Sequence, residues 1–258
     1  MKRTTKRILF ACGTTLGLCL AILAGAVLSP SFLYARKTQF ENIAIHHTQP
    51  LPTGINSVLT QSLELVKTSE LYESGVSINL CLNDGSNYPK LIERLKGQGW
   101  AYTVWNNISL NCAADFSENI ARWNLEKYQG QNRQWRLTEL LAHEMVHAYQ
   151  ANRDFWSAEK HPFWKIEGYA EYIARKNRLS LHERIDLLNQ ADRDGLNGWD
   201  MLYFPDGTGI LYNYLNFSAL VGYVVEVKGL TYEELLTLEI PFDVLKQEMI
   251  TWNNRHKS

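Results

Sequence analysis

Two histidines and a glutamate near the middle of the chain have the types and the spacing of a metal site. Residues 143–147 read His-Glu-Met-Val-His, and the flanking residues are good helix formers. On a helix, His143 and His147 lie one turn apart on one face and can present two imidazole nitrogens to one ion. Tetrahedral Zn²⁺ binds neutral imidazole and keeps one position open for water in catalytic sites. Glu144 lies beside this pair, where its carboxylate can take a proton from the water.

A second segment downstream carries candidates for a third ligand. Pro162 suits the first turn of a helix that we expect to run to about residue 177. On that helix Glu167 and Glu171 share one face, and Glu167 lies 20 residues after His147. This gap allows the first helix to end, a loop to cross, and the second helix to place one carboxylate on the ion. Two imidazoles and one carboxylate, with water as the fourth ligand, form a catalytic zinc site.

The two segments together resemble the gluzincin metallopeptidases, and in particular the small peptidase-MA-like proteins. The resemblance rests on the H-E-x-x-H motif and on residues 162–172, which read Pro-Phe-Trp-Lys-Ile-Glu-Gly-Tyr-Ala-Glu-Tyr. It covers residues 138–175 clearly and the later helices loosely. It implies an α+β fold of the zincin-like type, with a small β-sheet followed by a mostly helical half. It also implies a zinc metallopeptidase that acts on a peptide or protein substrate.

The resemblance implies a role for each matched side chain. His143, His147 and Glu167 would bind Zn²⁺, and Glu144 would be the general base. Glu171 would accept a hydrogen bond from a ligand histidine, which fixes the histidine tautomer and raises its basicity as a ligand.

A tyrosine is implied as well, on a long apolar helix expected over residues 210–227. Its hydroxyl would donate to the oxyanion that forms when water attacks the carbonyl. Tyr214 is the candidate and Tyr212 the alternative. Both are equally compatible with packing in the core, where tyrosine hydroxyls usually find a partner.

Other classes of function share some of these residues. Metzincins require a glycine and a histidine where this chain has Gln150 and Arg153, so that class is excluded. SprT-like proteases share the His-Glu-Met-x-His-Ala-Tyr opening and use a later histidine, for which His161 is the candidate. The alternative for His161 is an ordinary position at a helix entry. A non-proteolytic zinc-containing module that binds peptides is the third alternative, against which the intact Glu144 argues.

Hydrophobic periodicity predicts the elements that would hold these residues. Before the motif it predicts helices over residues 55–71 and 88–95 and strands over 76–82 and 101–110. An edge strand of this sheet could bind a peptide by strand addition. After the second ligand helix, capping-box patterns predict helices that start near residues 180 and 231. A loop is expected over residues 191–208 and a last helix over 242–252.

The pattern of the first 35 residues predicts that the rest of the chain is exported from the cytoplasm. Residues 1–7 contain four basic side chains, and residues 8–28 are a run of 21 without charge. Such a run is near the about 20 residues that span a bilayer, and the basic flank places the N-terminus in the cytoplasm. We therefore expect a single-pass protein of the cell membrane with its catalytic domain outside the cytoplasm. Cleavage near residues 24–26 would instead give a secreted or periplasmic protein.

Residues 36–54 are predicted to be a tether with a surface pair, His46 and His47, and residues 55–258 to be a single metallopeptidase-like domain. The formal net charge is −1 and no basic stripe stands out, so nucleic acid is not expected as a partner. Cys81 and Cys112 follow the apolar segment in a compartment where disulfides persist. A disulfide and two separate buried thiols both remain open, because distance cannot be read from the sequence.

Overall fold

The computed structural model describes residues 2–123 and 133–256, and it is an α+β arrangement. The helices are α1 (Lys2–Leu28), α2 (Ile55–Val66), α3 (Tyr88–Lys96), α4 (Leu137–Arg153), α5 (Ser157–Lys160), α6 (Phe163–Ala174), α7 (Leu181–Arg193), α8 (Tyr212–Gly222), α9 (Tyr232–Thr237) and α10 (Phe242–His256). The strands are β1 (Arg36–Phe40), β2 (Ile43–His47), β3 (Ile78–Cys81), β4 (Ala101–Val104), β5 (Asn107–Leu110), β6 (Ala113–Asp115), β7 (Ile120–Arg122), β8 (Gln134–Arg136), β9 (Met201–Tyr203) and β10 (Gly209–Leu211). Most of the strands therefore lie in the first half of the described chain, and most of the helices in the second.

The main sheet has five strands in the order β1-β2-β3-β5-β4. Its three central strands are parallel, and both edge strands run antiparallel to their neighbours. Every residue of β2 and β5 is buried, as expected for strands covered on both faces. A three-stranded sheet, β6-β7-β8, and a two-stranded sheet, β9-β10, lie outside it.

Residues 36–54, expected to be a tether, contribute β1 and β2 to the main sheet. His46 and His47 are not a surface pair, since only 2% and 4% of their surface is exposed. Both imidazoles are satisfied inside the protein: His46 Nε2 lies 3.0 Å from Asn79 Oδ1, and His47 Nδ1 lies 2.7 Å from the carbonyl oxygen of Gln49. The sequence pattern did not reveal this strand, because two adjacent histidines are typical of an exposed segment. Polar side chains can be buried at little cost when they find hydrogen-bond partners.

The segment 101–110, expected to be one strand, is a hairpin that places β4 at the edge of the sheet. The chain reverses at Trp105, whose φ is 57°. The backbone N–H of Asn111 donates to the carbonyl of Trp100. Hydrogen-bonded and non-hydrogen-bonded pairs alternate along an antiparallel ladder, so Ala101 and Thr103 direct their backbone groups away from β5. These groups form an outward-facing edge.

The expected single-pass membrane anchor is wrong for the part of the chain that the structure describes. No described helix is long and apolar enough to cross a membrane. The end of α1 is attached to the rest of the fold, because the Tyr88 hydroxyl donates to the carbonyl of Val27 at 2.9 Å.

Cys81 and Cys112 are free thiols, so the alternative of a disulfide between them is wrong. Cys81 packs with Tyr88 and Ile92 in a small cluster, whereas Cys112 belongs to the main core. Burial raises the pKa of both thiols, that of Cys112 to about 12. Both are therefore buried apolar residues rather than reactive groups.

The predicted helices of the second half are present, but several bounds differ. Helix α6 ends at Ala174 rather than near residue 177, and the expected loop over residues 191–208 contains β9. The capping boxes of α7 and α9 are both present. The long helix expected over residues 210–227 begins only at Tyr212, because the residues before it pair as β10 with β9. It ends in a π-helical turn, Tyr223–Val227.

Candidate metal centre

The side chains of His143 and His147 on α4 meet Glu167 on α6. Glu167 Oε2 lies 3.2 Å from His143 Nε2 and 3.4 Å from His147 Nε2, and the two Nε2 atoms are 3.0 Å apart. Among the residues that the structure describes, this is the one group of three or more His, Cys, Asp or Glu side chains that could hold a metal ion. His161 is not part of it.

The three separations fit a tetrahedral zinc site. Bonds of about 2.0–2.1 Å at tetrahedral angles place neighbouring ligand atoms about 3.3 Å apart. Both imidazoles have their Nδ1 atoms engaged elsewhere, so that the Nε2 lone pairs are available to an ion. Two nitrogens and one carboxylate oxygen are the ligand types of a catalytic zinc site, in which a fourth position stays open.

Helix α4 is positioned from its first turn by side chains that are distant in sequence. The Asn119 side chain accepts hydrogen bonds from the backbone N–H and the hydroxyl of Thr138, at 2.8 and 2.9 Å. The Ser62 hydroxyl on α2 donates to the Thr138 carbonyl at 3.0 Å. Asn119 thereby satisfies an N–H at the start of the helix, where Arg136 provides no side-chain cap.

Helix α6 is held close against α8 by a glycine next to the ligand. A Cβ atom at Gly168 would lie 2.8 Å from the carbonyl oxygen of Phe217 and 2.8 Å from Val221 Cγ2. Such approaches are far below ordinary contact, so the separation of the two helices requires glycine at this position. The backbone of Glu167 is fixed by this packing.

Each candidate ligand histidine is oriented by a hydrogen bond at Nδ1. The Glu171 carboxylate accepts from His143 Nδ1–H at 2.9 Å, and Gln150 Oε1 accepts from His147 Nδ1–H at 2.7 Å. Gln150 is itself fixed, since its amide nitrogen donates to the carbonyl of Ile166 at 3.1 Å. The role of Gln150 was missed by the sequence analysis, although its position three residues after His147 on the same helix face was a usable signal.

A buried ion-pair chain extends from Glu171 away from the site. The Arg175 guanidinium pairs with Glu171 and, at 2.5 Å, with Glu139. Arg178 binds both oxygens of Glu139 at 2.9 and 3.0 Å and reaches Asp206 at 2.9 Å. Glu171, Arg175 and Glu139 are each at least 95% buried, which requires such pairing.

The charges of the site favour a cation at its centre. Burial lowers the pKa of His143, but Glu167 and Glu171 outweigh burial and raise that pKa to about 10. The pKa of His147 is also raised, because Glu167 outweighs burial. Burial raises the pKa of Glu167, yet the two imidazoles hold it well below its usual range. Burial also raises the pKa of Glu171, but Arg175 and His143 outweigh burial and lower that pKa to about 2.

Glu144 lies beside the metal group and not within it. Only 7% of its surface is exposed, and it lines the cleft together with both histidines. The Thr103 hydroxyl on β4 lies 2.7 Å from Glu144 Oε2 and 3.0 Å from the Glu144 carbonyl oxygen. The edge strand is therefore tied to the carboxylate expected to act as a base.

Tyr214 lies at the site and Tyr212 does not. The Tyr214 ring is 5.6 Å from the His143 ring, whereas the Tyr212 hydroxyl is 2.5 Å from Asp192 Oδ1. Burial is the largest cause, and the negative charge of Glu167 the second, that raises the pKa of Tyr214 well above its usual value. Its phenol is therefore a hydrogen-bond donor at neutral pH. His161 ends α5, where its backbone N–H donates to the carbonyl of Ser157.

Two cavities, each of about 450 Å³, adjoin the metal group. The first follows β4 towards α5 and α6 and contains all three candidate ligands. The second is bordered by His143 and Glu144 as well, and four tryptophans and two tyrosines are among its lining residues. Tyr214 borders both cavities.

Comparison of the chain with family models, with curated proteins and with solved structures found no match. The assignment of function therefore rests on the geometry of this site and on the motif that forms it.

We expect Glu171→Gln to weaken zinc binding by about 10–100-fold, the usual loss when the partner of a ligand histidine is changed. A neutral amide cannot stabilise the His143 Nδ1–H as a carboxylate does. Zinc affinity would be measured by competition with a chromogenic chelator, with circular dichroism as a check of folding. The control is Glu64→Gln, which neutralises an exposed glutamate on α2. Unchanged affinity in a folded Glu171→Gln protein would show that this contact does not support the ligand.

Proposed function

We propose that this chain is a zinc-dependent metallopeptidase of the gluzincin type, with a zincin-like fold. The observation that carries the proposal is the convergence of His143, His147 and Glu167 at separations that suit tetrahedral zinc. Glu144 beside the group adds the base that hydrolysis needs and that a purely structural zinc site does not.

The chain's own residues supply the proton transfers of the reaction. When bound, Zn²⁺ supplies Lewis-acid polarisation of the scissile carbonyl and lowers the pKa of water to about 7. Glu144 accepts the proton of the attacking water and delivers it to the leaving amine. Thr103 donates to Glu144 and so orients that carboxylate. Tyr214 is the candidate donor to the oxyanion, because it is a protonated phenol at the rim of both cavities.

The position of the edge strand β4 is an argument for a peptide as the substrate. Its residues line the cleft beside the metal group. The backbone groups of Ala101 and Thr103 point away from β5, so an extended peptide can add to the sheet as a further strand. Main-chain hydrogen bonds of this kind hold a peptide regardless of its sequence and would present its carbonyl to the site.

The SprT-like alternative lacks support because His161 lies outside the metal group. Its backbone caps α5, and its side chain does not line the cleft. Glu167 from the adjacent helix occupies the place of the third ligand.

The proposal predicts that removal of metal abolishes hydrolysis. We expect the zinc-loaded protein to cleave members of a peptide library, and 1,10-phenanthroline to reduce the rate by at least about 100-fold, since zinc supplies both the acidic water and the polarised carbonyl. Addition of Zn²⁺ after removal of the chelator should restore the rate. Metal content and cleavage, the latter by mass spectrometry, would be measured on the same samples. A rate that is insensitive to the chelator, or a zinc-loaded protein that cleaves nothing in the library, would refute the proposal.

A further inference from the structure

The second cavity at the site has an unusual wall. Its lining includes the four tryptophans Trp100, Trp123, Trp135 and Trp199. His143, Glu144 and Tyr214 border the same cavity, so it opens directly beside the point where the scissile carbonyl would lie. Its volume of about 450 Å³ is within the range of pockets that hold a small ligand or one large side chain.

The aromatic rings present both faces and edges around the cavity. Trp100 stacks on Trp135 at 5.3 Å with 19° between the planes, and Trp123 meets Trp100 edge-on at 5.0 Å. Tyr214 lies edge-on to Trp135 at 5.8 Å and to Trp199 at 6.0 Å. Offset-stacked and edge-to-face arrangements at 4.5–7 Å are those in which aromatic rings attract one another. A further ring that enters the cavity would find partners of both kinds.

Trp199 distinguishes this wall from ordinary core packing. Trp135 is 3% exposed and belongs to the core, but 56% of the Trp199 surface is exposed. Exposed tryptophan beside a catalytic cleft leaves apolar surface that a substrate can cover. Trp199 lies in the loop between α7 and β9 and lines the cavity.

We propose that this cavity is the specificity pocket of the peptidase and that it takes an aromatic side chain from a residue next to the scissile bond. The inference rests on the proposed function. It names the class of substrate as peptides with Phe, Tyr or Trp at one position beside the cleaved bond. Shape and ring contacts favour these residues over Ala.

The test compares Trp199→Ala with the matched control Trp156→Ala. Trp156 is exposed to 57%, almost as much as Trp199, and does not line either cavity at the site. Cleavage sites of the zinc-loaded wild type in a peptide library would first be read by mass spectrometry. We expect Phe, Tyr and Trp to be enriched at one position next to the bond. For a matched pair of peptides with Phe or Ala at that position, Trp199→Ala should reduce the kcat/KM ratio of Phe to Ala about tenfold, the scale of discrimination that one apolar pocket provides. Trp156→Ala should leave the ratio unchanged.

A binding experiment separates failure of this inference from failure of the proposed function. The same Phe and Ala peptides would be titrated into zinc-loaded Glu144→Gln, with and without Trp199→Ala, and followed by calorimetry. Preferential binding of the Phe peptide that is lost with Trp199→Ala supports the pocket even if the wild type hydrolyses neither peptide. Equal binding of the two peptides, or a preference that survives Trp199→Ala, overturns the pocket even if the wild type is an active peptidase.

Discussion

Replacing Glu144 by glutamine is expected to abolish peptide hydrolysis while zinc stays bound. Glutamine has nearly the same shape and can keep the contact with the Thr103 hydroxyl, but it cannot accept a proton from water. Positioned acid–base groups contribute about 10²–10⁴-fold to the rate, and here one carboxylate would serve both proton transfers. We therefore expect kcat to fall by at least about 10³-fold. Zinc content should remain at the wild-type level, because Glu144 is outside the metal group.

The measurement pairs single-turnover cleavage of one library peptide with metal analysis of the same preparation. Glu64→Gln makes the same chemical change at an exposed position on α2 and should behave as the wild type. If Glu144→Gln kept more than about a tenth of the wild-type rate, Glu144 would not be the general base. If it lost zinc instead, Glu144 would be a ligand, and the arrangement of the site would have to be revised.

Replacing Glu167 by alanine is expected to remove zinc and activity together. The carboxylate would provide one of the three protein ligand atoms. Its loss leaves two imidazoles, whereas a catalytic zinc site has three protein ligands. Zinc affinity should fall by more than the about 10–100-fold loss expected when the hydrogen-bond partner of a ligand histidine is changed. The Glu171→Gln protein therefore provides an internal scale for the effect.

His161→Ala is the matched test of the competing third ligand. We expect wild-type zinc content and activity in this variant, because His161 ends α5 and is outside the metal group. Apparent zinc affinity would be measured for both variants by chelator competition at one pH, since ligand protonation competes with metal. Retention of zinc by Glu167→Ala together with its loss from His161→Ala would assign the third ligand to His161 and favour the SprT-like alternative.

The parts of the site that depend on spacing along the chain could be predicted from the sequence. His143 and His147 face one way because four residues make about one helical turn, and Glu167 and Glu171 share a face for the same reason. The resemblance implied that Glu171 accepts a hydrogen bond from one of the two histidines, and the structure shows that this histidine is His143. The capping boxes of α7 and α9 were equally local signals.

The parts that depend on contacts between distant segments could not be predicted. Asn119 caps α4 from a preceding turn, and Arg175 completes an ion-pair chain whose members come from three different segments. The aromatic cavity brings together residues from position 98 to position 214, so no single window of sequence shows it. Strand β2 was not predicted, because its two histidines suggested an exposed segment. For Arg175 and His46, a partner far along the chain allows the polar side chain to be buried.

The absence of a side chain at Gly168 has a consequence for how the ligand set can vary. The residue beside Glu167 touches the backbone of α8, so the place of the carboxylate depends on the distance between two helix axes rather than on its rotamer alone. Any substitution on α8 that widens this distance would move one ligand relative to the two imidazoles, which belong to α4. Residues far from the proposed metal site, on a helix that supplies none of the candidate ligands, can therefore change the geometry of that site by setting the spacing between α6 and α8.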